Sequence, residues 1–317
     1  MAASLSIVAV LSLGAVVGAT SRAASATTRS AVVSAPAGYW LAAADGGVFS
    51  YHVPFFGNPE VAGSNICMAP TTVNPWVCRG IAATETGDGY WVVSSETFEG
   101  GISGRVSGFG DAPFPNAPPP LAGLNAELVG VATTIDSGHN GGGIWLAGAD
   151  GGVFAYGDAP FDGSMAGRPL ALPVVGIVSD PVASGYWLVA ADGGVFAFGA
   201  AGFHGSMAAG AQGQRVVGMA PTPDGQGYWL ATSDGNVVPF GDAAYLGSLA
   251  GQPYLGQIRL NAPIVGIAST GDGHGYWLVA ADGGVFCFGD APFLGSAGGL
   301  ALRAPVVGMT VASLPAG

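Results

Sequence analysis

The chain has 317 residues and a net charge of −12; its eight basic residues are all arginine and do not cluster, which argues against nucleic acid as a partner. Half of the residues are hydrophobic and only 9% are charged, giving a mean hydropathy of +0.48. The apolar stretches of the body are short and broken by Gly, Asp and Pro. They therefore exclude spanning helices, which need about 20 apolar residues, and suit strands covered on both faces.

The first element is the apolar run LSIVAVLSLGAVVGA at 5–19. Small-residue sites follow it, so residues 1–26 read as a secretory signal. Its n-region has no Lys or Arg, which leaves an uncleaved anchor as the alternative. Residues 27–37 form a Ser/Thr/Ala-rich lead-in.

From Gly38 one apolar hairpin recurs six times. The copies are GYWLAAADGGVFSY from Gly38, GYWVVSSE from Gly89, GIWLAGADGGVFAYG from Gly143, GYWLVAADGGVFAFG from Gly185, GYWLATSDGNVVPFG from Gly227 and GYWLVAADGGVFCFG from Gly275. Their tryptophans, Trp40, Trp91, Trp145, Trp187, Trp229 and Trp277, recur at a period of 42 to 54 residues. A period of that size made of short strands indicates a propeller or a solenoid.

The unit from Pro173 parses as PVVGIV, GYWLVAA and GVFAFG, with a weak fourth strand at Phe203–Met207. Asp192-Gly193 between apolar runs marks a hairpin, and Asp45, Asp150, Asp234 and Asp282 stand at the same place. The Gly of VVG removes a side chain where backbones crowd near an axis. Four short strands per unit is a propeller blade, whereas a solenoid needs polar caps that neither end offers. The first unit lacks a first strand and APVVGMTVAS at 304–313 is a first strand with no unit after it. The expected fold is all-β: a six-bladed β-propeller of four-stranded antiparallel blades over residues 38–313, closed by the C-terminal strand, with a tail at 314–317.

The units resemble the GYWLVAADGGVFAFGDAPFYGS-type repeats of secreted actinobacterial proteins over Gly38 to Ser313, and more distantly regulator-of-chromosome-condensation repeats with their DGxV(Y/F)xWG strand. The resemblance implies an interaction role and hands over no catalytic residues. The second unit departs most, with ETFEGGISGR at 96–105 in place of DGG.

Function is then expected where the repeat is broken. The insertions at 59–76, 96–104, 115–126 and 249–262 all map to one face, which either marks a binding face or is drift in tolerant loops. The odd residues collect there too: Trp76, Arg79 in place of the second Val of VVG, Glu127 and Arg215 in place of the preceding Pro, Phe98 and Glu99 in the long turn, and Tyr254. Aromatics with nearby charges suit a protein or glycan contact; an Arg79–Glu127 ion pair is the structural alternative. Cys67 and Cys78 are expected to pair in an exported protein, adding about 3 kcal/mol, and Cys287 reads as a small buried thiol.

The four histidines, His52, His139, His204 and His274, lie toward the opposite face, and no catalytic triad order, HExxH or CxxC is present. Asp111, Asp158, Asp242 and Asp290 in GDA turns read as caps on backbone N–H groups, with calcium a lesser possibility. No cofactor or metal is expected. The functional expectation is a secreted or envelope-associated, non-catalytic propeller that binds a protein or cell-surface glycan. The alternatives are a propeller hydrolase or lyase at the channel mouth using Arg79 and Glu127, and a wall-associated spacer.

Overall fold

The structure, a computed structural model, describes residues 38–59, 76–112, 121–134, 142–207, 214–250 and 260–312. The expected signal at 1–26, the lead-in at 27–37, Cys67, His139, Tyr254 and the tail lie outside these residues. No helix among the described residues is long and apolar enough to cross a membrane.

The first repeat copy gives β1 (Gly38–Ala43) and β2 (Val48–Tyr51). The second gives β3 (Val77–Ala83), β4 (Gly89–Phe98), β5 (Gly101–Gly110) and β6 (Leu121–Leu124). The third gives β7 (Leu128–Thr133), β8 (Ile144–Gly148) and β9 (Val153–Tyr156). The fourth gives β10 (Val174–Ser179), β11 (Gly185–Ala190) and β12 (Val195–Gly199). The fifth gives β13 (Val216–Pro221), β14 (Gly227–Thr232) and β15 (Val237–Gly241). The sixth gives β16 (Ile264–Ser269), β17 (Gly275–Ala280) and β18 (Val285–Gly289), and β19 (Val306–Ala312) follows.

Each copy is a small antiparallel sheet, and β19 joins β1 and β2 as expected, with Trp40 opposite Thr310 and Gly38 opposite Ala312. The first strands touch in the order β19, β3, β7, β10, β13, β16 and back to β19. The VVG glycines allow this approach: a Cβ on Gly130 would stand 3.4 Å from the Gly176 Cα, and one on Gly80 3.5 Å from the Gly130 Cα. Each first strand also carries a bulge at the residue before that glycine, where Arg79, Val129, Val175, Val217, Val265 and Val307 are passed over by the pairing.

Apart from Ser94–Thr97 of the extended β4 and Thr232 of β14, the second strands are apolar because both faces are covered. In β11, Trp187 and Val189 pack forward on Val216, Met219, Tyr228 and Leu230 of the next copy. Tyr186 and Leu188 pack backward on Trp145 and Ala147. Trp277 and Val279 of the last copy pack in the same way on Tyr39 and Leu41 of the first.

Rings repeat this relay. Trp40 meets Tyr90 at 5.3 Å, Trp145 meets Tyr186 at 4.9 Å, Trp187 meets Tyr228 at 5.7 Å, Trp229 meets Tyr276 at 5.6 Å and Trp277 meets Tyr39 at 5.7 Å. Each of these tyrosines donates its hydroxyl to a glycine carbonyl of the preceding copy, as Tyr186 does to Gly163 at 2.6 Å and Tyr39 to Gly295 at 2.5 Å. Burial pushes the Tyr39 and Tyr186 phenols up to about 12, so the donors keep their protons at any physiological pH.

The Asp-Gly hairpins are three-residue loops. The Gly193 N–H reaches the Ala190 carbonyl at 2.9 Å, Gly193 takes φ +83°, and Asp192 Oδ1 accepts from the Gly194 N–H at 2.9 Å.

The expected four-stranded blade is corrected in five of the six sheets. Only the second has a fourth strand, β6, among the described residues. The segment at Phe203–Met207 runs outside β12 without a ladder. Side chains bond it instead: Trp187 Nε1 donates to the Gly202 carbonyl at 2.6 Å, and the Tyr228 hydroxyl donates to Gly205 at 2.5 Å. Prolines at 54, 160 and 292 remove donors from the equivalent segments.

Candidate functional site

The two ends of the first strands differ. At their start lie the hairpin loops and the insertion of the second copy. The expected long turn at 96–104 is mostly strand: β4 and β5 pair from Gly89–Gly110 out to Phe98–Gly101, leaving a two-residue turn of Glu99 and Gly100. Phe98 stands exposed at its tip. Part of the 115–126 insertion becomes β6, which pairs with β5.

At the base of this hairpin Arg79 Nη2 meets Glu127 Oε2 at 2.6 Å, and Thr97 Oγ1 donates to Glu127 Oε1 at 3.1 Å. The ion pair joins the bulge of β3 to the entry of β7 and is about one-third exposed on each side. Trp76 is buried, and the Arg105 guanidinium of β5 covers its ring at 4.5 Å. Its ring is therefore packing under the hairpin rather than contact surface. Arg215 is exposed at the entry of β13, three copies round from Arg79, so the two do not meet. The structure thus brings Trp76, Arg79, Phe98, Glu99 and Glu127 into one hairpin and its base.

The second copy has no DGG loop, and Ser95 fills the gap. Elsewhere a backbone carbonyl of the loop receives the N–H of the next first strand, as Ala149 receives Val174 at 2.9 Å. Here the Leu128 N–H donates to Ser95 Oγ at 2.8 Å. Cys78, fully buried at the start of β3, donates its N–H to the Ala44 carbonyl at 2.9 Å. Cys287 is the free cysteine of the described residues, and burial raises its thiol pKa.

At the other end the first strands surround an axial cavity of about 530 Å³. All six contribute, through residues such as Ile81, Val131, Ile177, Met219, Ile267 and Met309, and among the described residues of the lining Glu85 is the one ionisable side chain. Its hydroxyls join neighbouring strands: Ser269 Oγ donates to the Pro221 carbonyl at 3.0 Å, Ser179 Oγ donates to the Thr133 carbonyl, and Thr310 Oγ1 accepts from the Ala83 N–H at 3.0 Å. Arg79 and Glu127 do not line it. The pair expected at a catalytic channel mouth is thus neutralised internally and sits at the opposite end of the strands.

Asp111 accepts from the Thr86 hydroxyl, and Asp242 from the Thr222 hydroxyl at 3.2 Å, so they tie the end of the third strand to the turn after the first. In the sixth copy Asp272, His274 and Asp290 cluster, with His274 Nδ1 at 3.5 Å from Asp272 Oδ2. The Thr270 hydroxyl, 2.6 Å away, is the main cause holding the Asp272 carboxyl down to about 2. Asp290 is raised, first by desolvation and then by Asp272.

A depressed carboxyl adds stability above its unfolded value near 3.9 and loses it as pH falls through about 2. Thr270→Val should therefore lower the melting temperature at pH 7, with the gap to wild type narrowing as pH approaches 2. Melting curves across that range check this, and a constant gap would put the whole effect in the bond from Thr270 to the Gly275 carbonyl.

No family model and no curated protein sequence matches the chain. Among solved structures it is similar to the β-propeller domain of Myceliophteria thermophila Cps50 (Swd1), at 12% identity and a TM-score of 0.43, over 72% of this chain and 69% of that one.

One set of residues escaped the sequence reading, which set repeated positions aside as structural. Phe55, Phe161, Phe203, Tyr245 and Phe293 occupy one repeat position, two residues before the glycine that receives the tyrosine hydroxyl, and all five are exposed. The signal was present in GDAPFxGS, whose aromatic has no strand to alternate with.

Proposed function

We propose that the chain is an exported six-bladed β-propeller that binds a protein partner without catalysis through the hairpin end. The cyclic order of first-strand contacts and the Trp–Tyr relay from Trp277 back to Tyr39 support six blades. The apolar run at 5–19 supports export. A Cys67–Cys78 cross-link belongs to this reading and would brace the entry to β3.

The observation that carries the binding role is the β4–β5 hairpin. It extends past the repeat, is braced by β6 and by Arg79–Glu127, and ends on an exposed Phe98 beside Glu99. A rigid apolar anchor with adjacent charge is the usual centre of a protein contact.

The test is recovery of partners from the envelope and medium of the secreting cell by wild type and by Phe98→Ala, with melting temperature as a folding control. Truncating a hot-spot aromatic weakens binding by about tenfold or more, so loss of a specific partner at unchanged melting temperature is expected. Equal recovery of every partner overturns the assignment. Trp76→Ala is unsuited to this test, because it would excavate the base of the hairpin.

A further inference from the structure

We infer that the end carrying the axial cavity bears a second, multivalent site that grips an uncharged polysaccharide through the ring of Phe55, Phe161, Phe203, Tyr245 and Phe293. These side chains are between 50% and 65% exposed and belong to no buried cluster, whereas the neighbouring Phe56 packs inward beside Trp40. The other large repeated side chains have work inside the fold: five of the six tryptophans bond outer-segment carbonyls, Trp91 is buried as packing, and the tyrosines fasten one copy to the next. The four exposed phenylalanines have none and Tyr245 bonds only the nearby Ser248 hydroxyl at 3.1 Å; the sequence places an aromatic here in every copy, with Phe114 in the second. One exposed ring alone is ordinary, but the same ring exposed at the same place in five copies points to a ligand that repeats with it.

The position of the rings fixes the end. Each follows the close of a third strand by four or five residues, at the end where Asp111, Asp242 and Asp290 meet the turns after the first strands. That is the cavity end, away from Phe98.

The chemistry of the ligand follows from three features. A net charge of −12 with carboxylates on the same turns repels polyanions and anionic membranes. The rings are spread one per copy, whereas a protein partner needs a contiguous patch of about 800 Å² per side. A flat ring offers its face to the C–H face of a sugar, and an exposed carboxylate nearby, such as Asp158 three residues before Phe161, accepts sugar hydroxyls. A repeating neutral glycan supplies one such face for each ring, and weak contacts then add through effective concentration.

The experiment is depletion of the full chain from solution by insoluble cellulose, chitin and starch granules, in parallel with peptidoglycan, which carries peptide carboxylates, and phosphatidylcholine vesicles. The proteins are wild type, Phe161→Ser, the triple variant Phe161→Ser, Phe203→Ser, Phe293→Ser, and Phe98→Ser as the control from the other end. Melting temperatures verify that each folds. The expected result is capture of wild type by at least one polysaccharide, weakened about threefold by the single change and at least tenfold by the triple, with Phe98→Ser unchanged. No capture by any of the three neutral polysaccharides, equal capture of the triple variant, or ring-dependent capture by peptidoglycan or vesicles in place of them overturns the proposal. Because Phe98 reads only on the protein-binding end, failure here and failure of that assignment are separable.

Discussion

A chain ended at Arg303 should lose its cooperative unfolding transition and aggregate. Removing β19 strips the ladder from one side of β1, where residues from Gly38 to Ala43 pair with Ala312 to Val306. It also removes the bonds from the Ala44 N–H to the Pro305 carbonyl, from the Val306 N–H to Ala281 and from the Ala83 N–H to Thr310, so three copies lose a contact at once. Val306 and Ala312 are buried, and Met309 and Val311 pack on the cluster that holds Tyr39, Leu41 and Trp277. At about 1.5–3 kcal/mol for each large apolar side chain and about 1 kcal/mol for each hydrogen bond, the loss approaches the whole 5–15 kcal/mol of a typical domain. The exposed flank of β1 then becomes an edge open to pairing with other chains. Gly38 and Ala312 face each other, so a permuted chain with residues 304–312 placed before Gly38 through a short turn should recover the transition. Calorimetry and light scattering on both chains check this; a truncated chain that melts as wild type does would show that β19 adds nothing to closure.

What could be read from the residues follows from how periodic each feature is. The three inner strands and the pairing of β19 with β1 were legible because VVG, GYW and DGG recur with apolar runs between them. The fourth strand was misread because the outer segment looks extended, while its carbonyls go to indole and phenol donors and its prolines and left-handed glycines forbid a ladder: Gly163 has φ +128° and Gly295 φ +135°. The Arg79–Glu127 pair was legible as an ion pair from two charges in place of Val and Pro. The burial of Trp76 was not, because its cover, Arg105, sits in an extension with no counterpart elsewhere. The third copy shows how much the pattern held: Ile144 replaces the tyrosine, and Asn116 replaces the glycine that such a tyrosine would bond in the second copy.

That same boundary supplies the second large effect. Trp187→Ala should destabilise the fold by about 3–5 kcal/mol, the cost of truncating a buried aromatic, since Trp187 is fully buried against Tyr228 and Phe198's neighbour Ala197 lies opposite it in the ladder. Trp187→Phe separates the causes. It keeps most of the packing but leaves the Gly202 carbonyl without its 2.6 Å donor, adding about 0.5–1.5 kcal/mol for the lost hydrogen bond. Trp91 is nearly as buried, yet its Nε1 has no partner among the described residues and it packs on Ile144 instead of a tyrosine. Trp91→Phe should then cost less than Trp187→Phe by about the value of that bond, with equal denaturant slopes for the two. Urea unfolding of the two variants decides it: equal losses would mean that the indoles act by volume alone, and that the bonds to the outer segment do not fasten the blades.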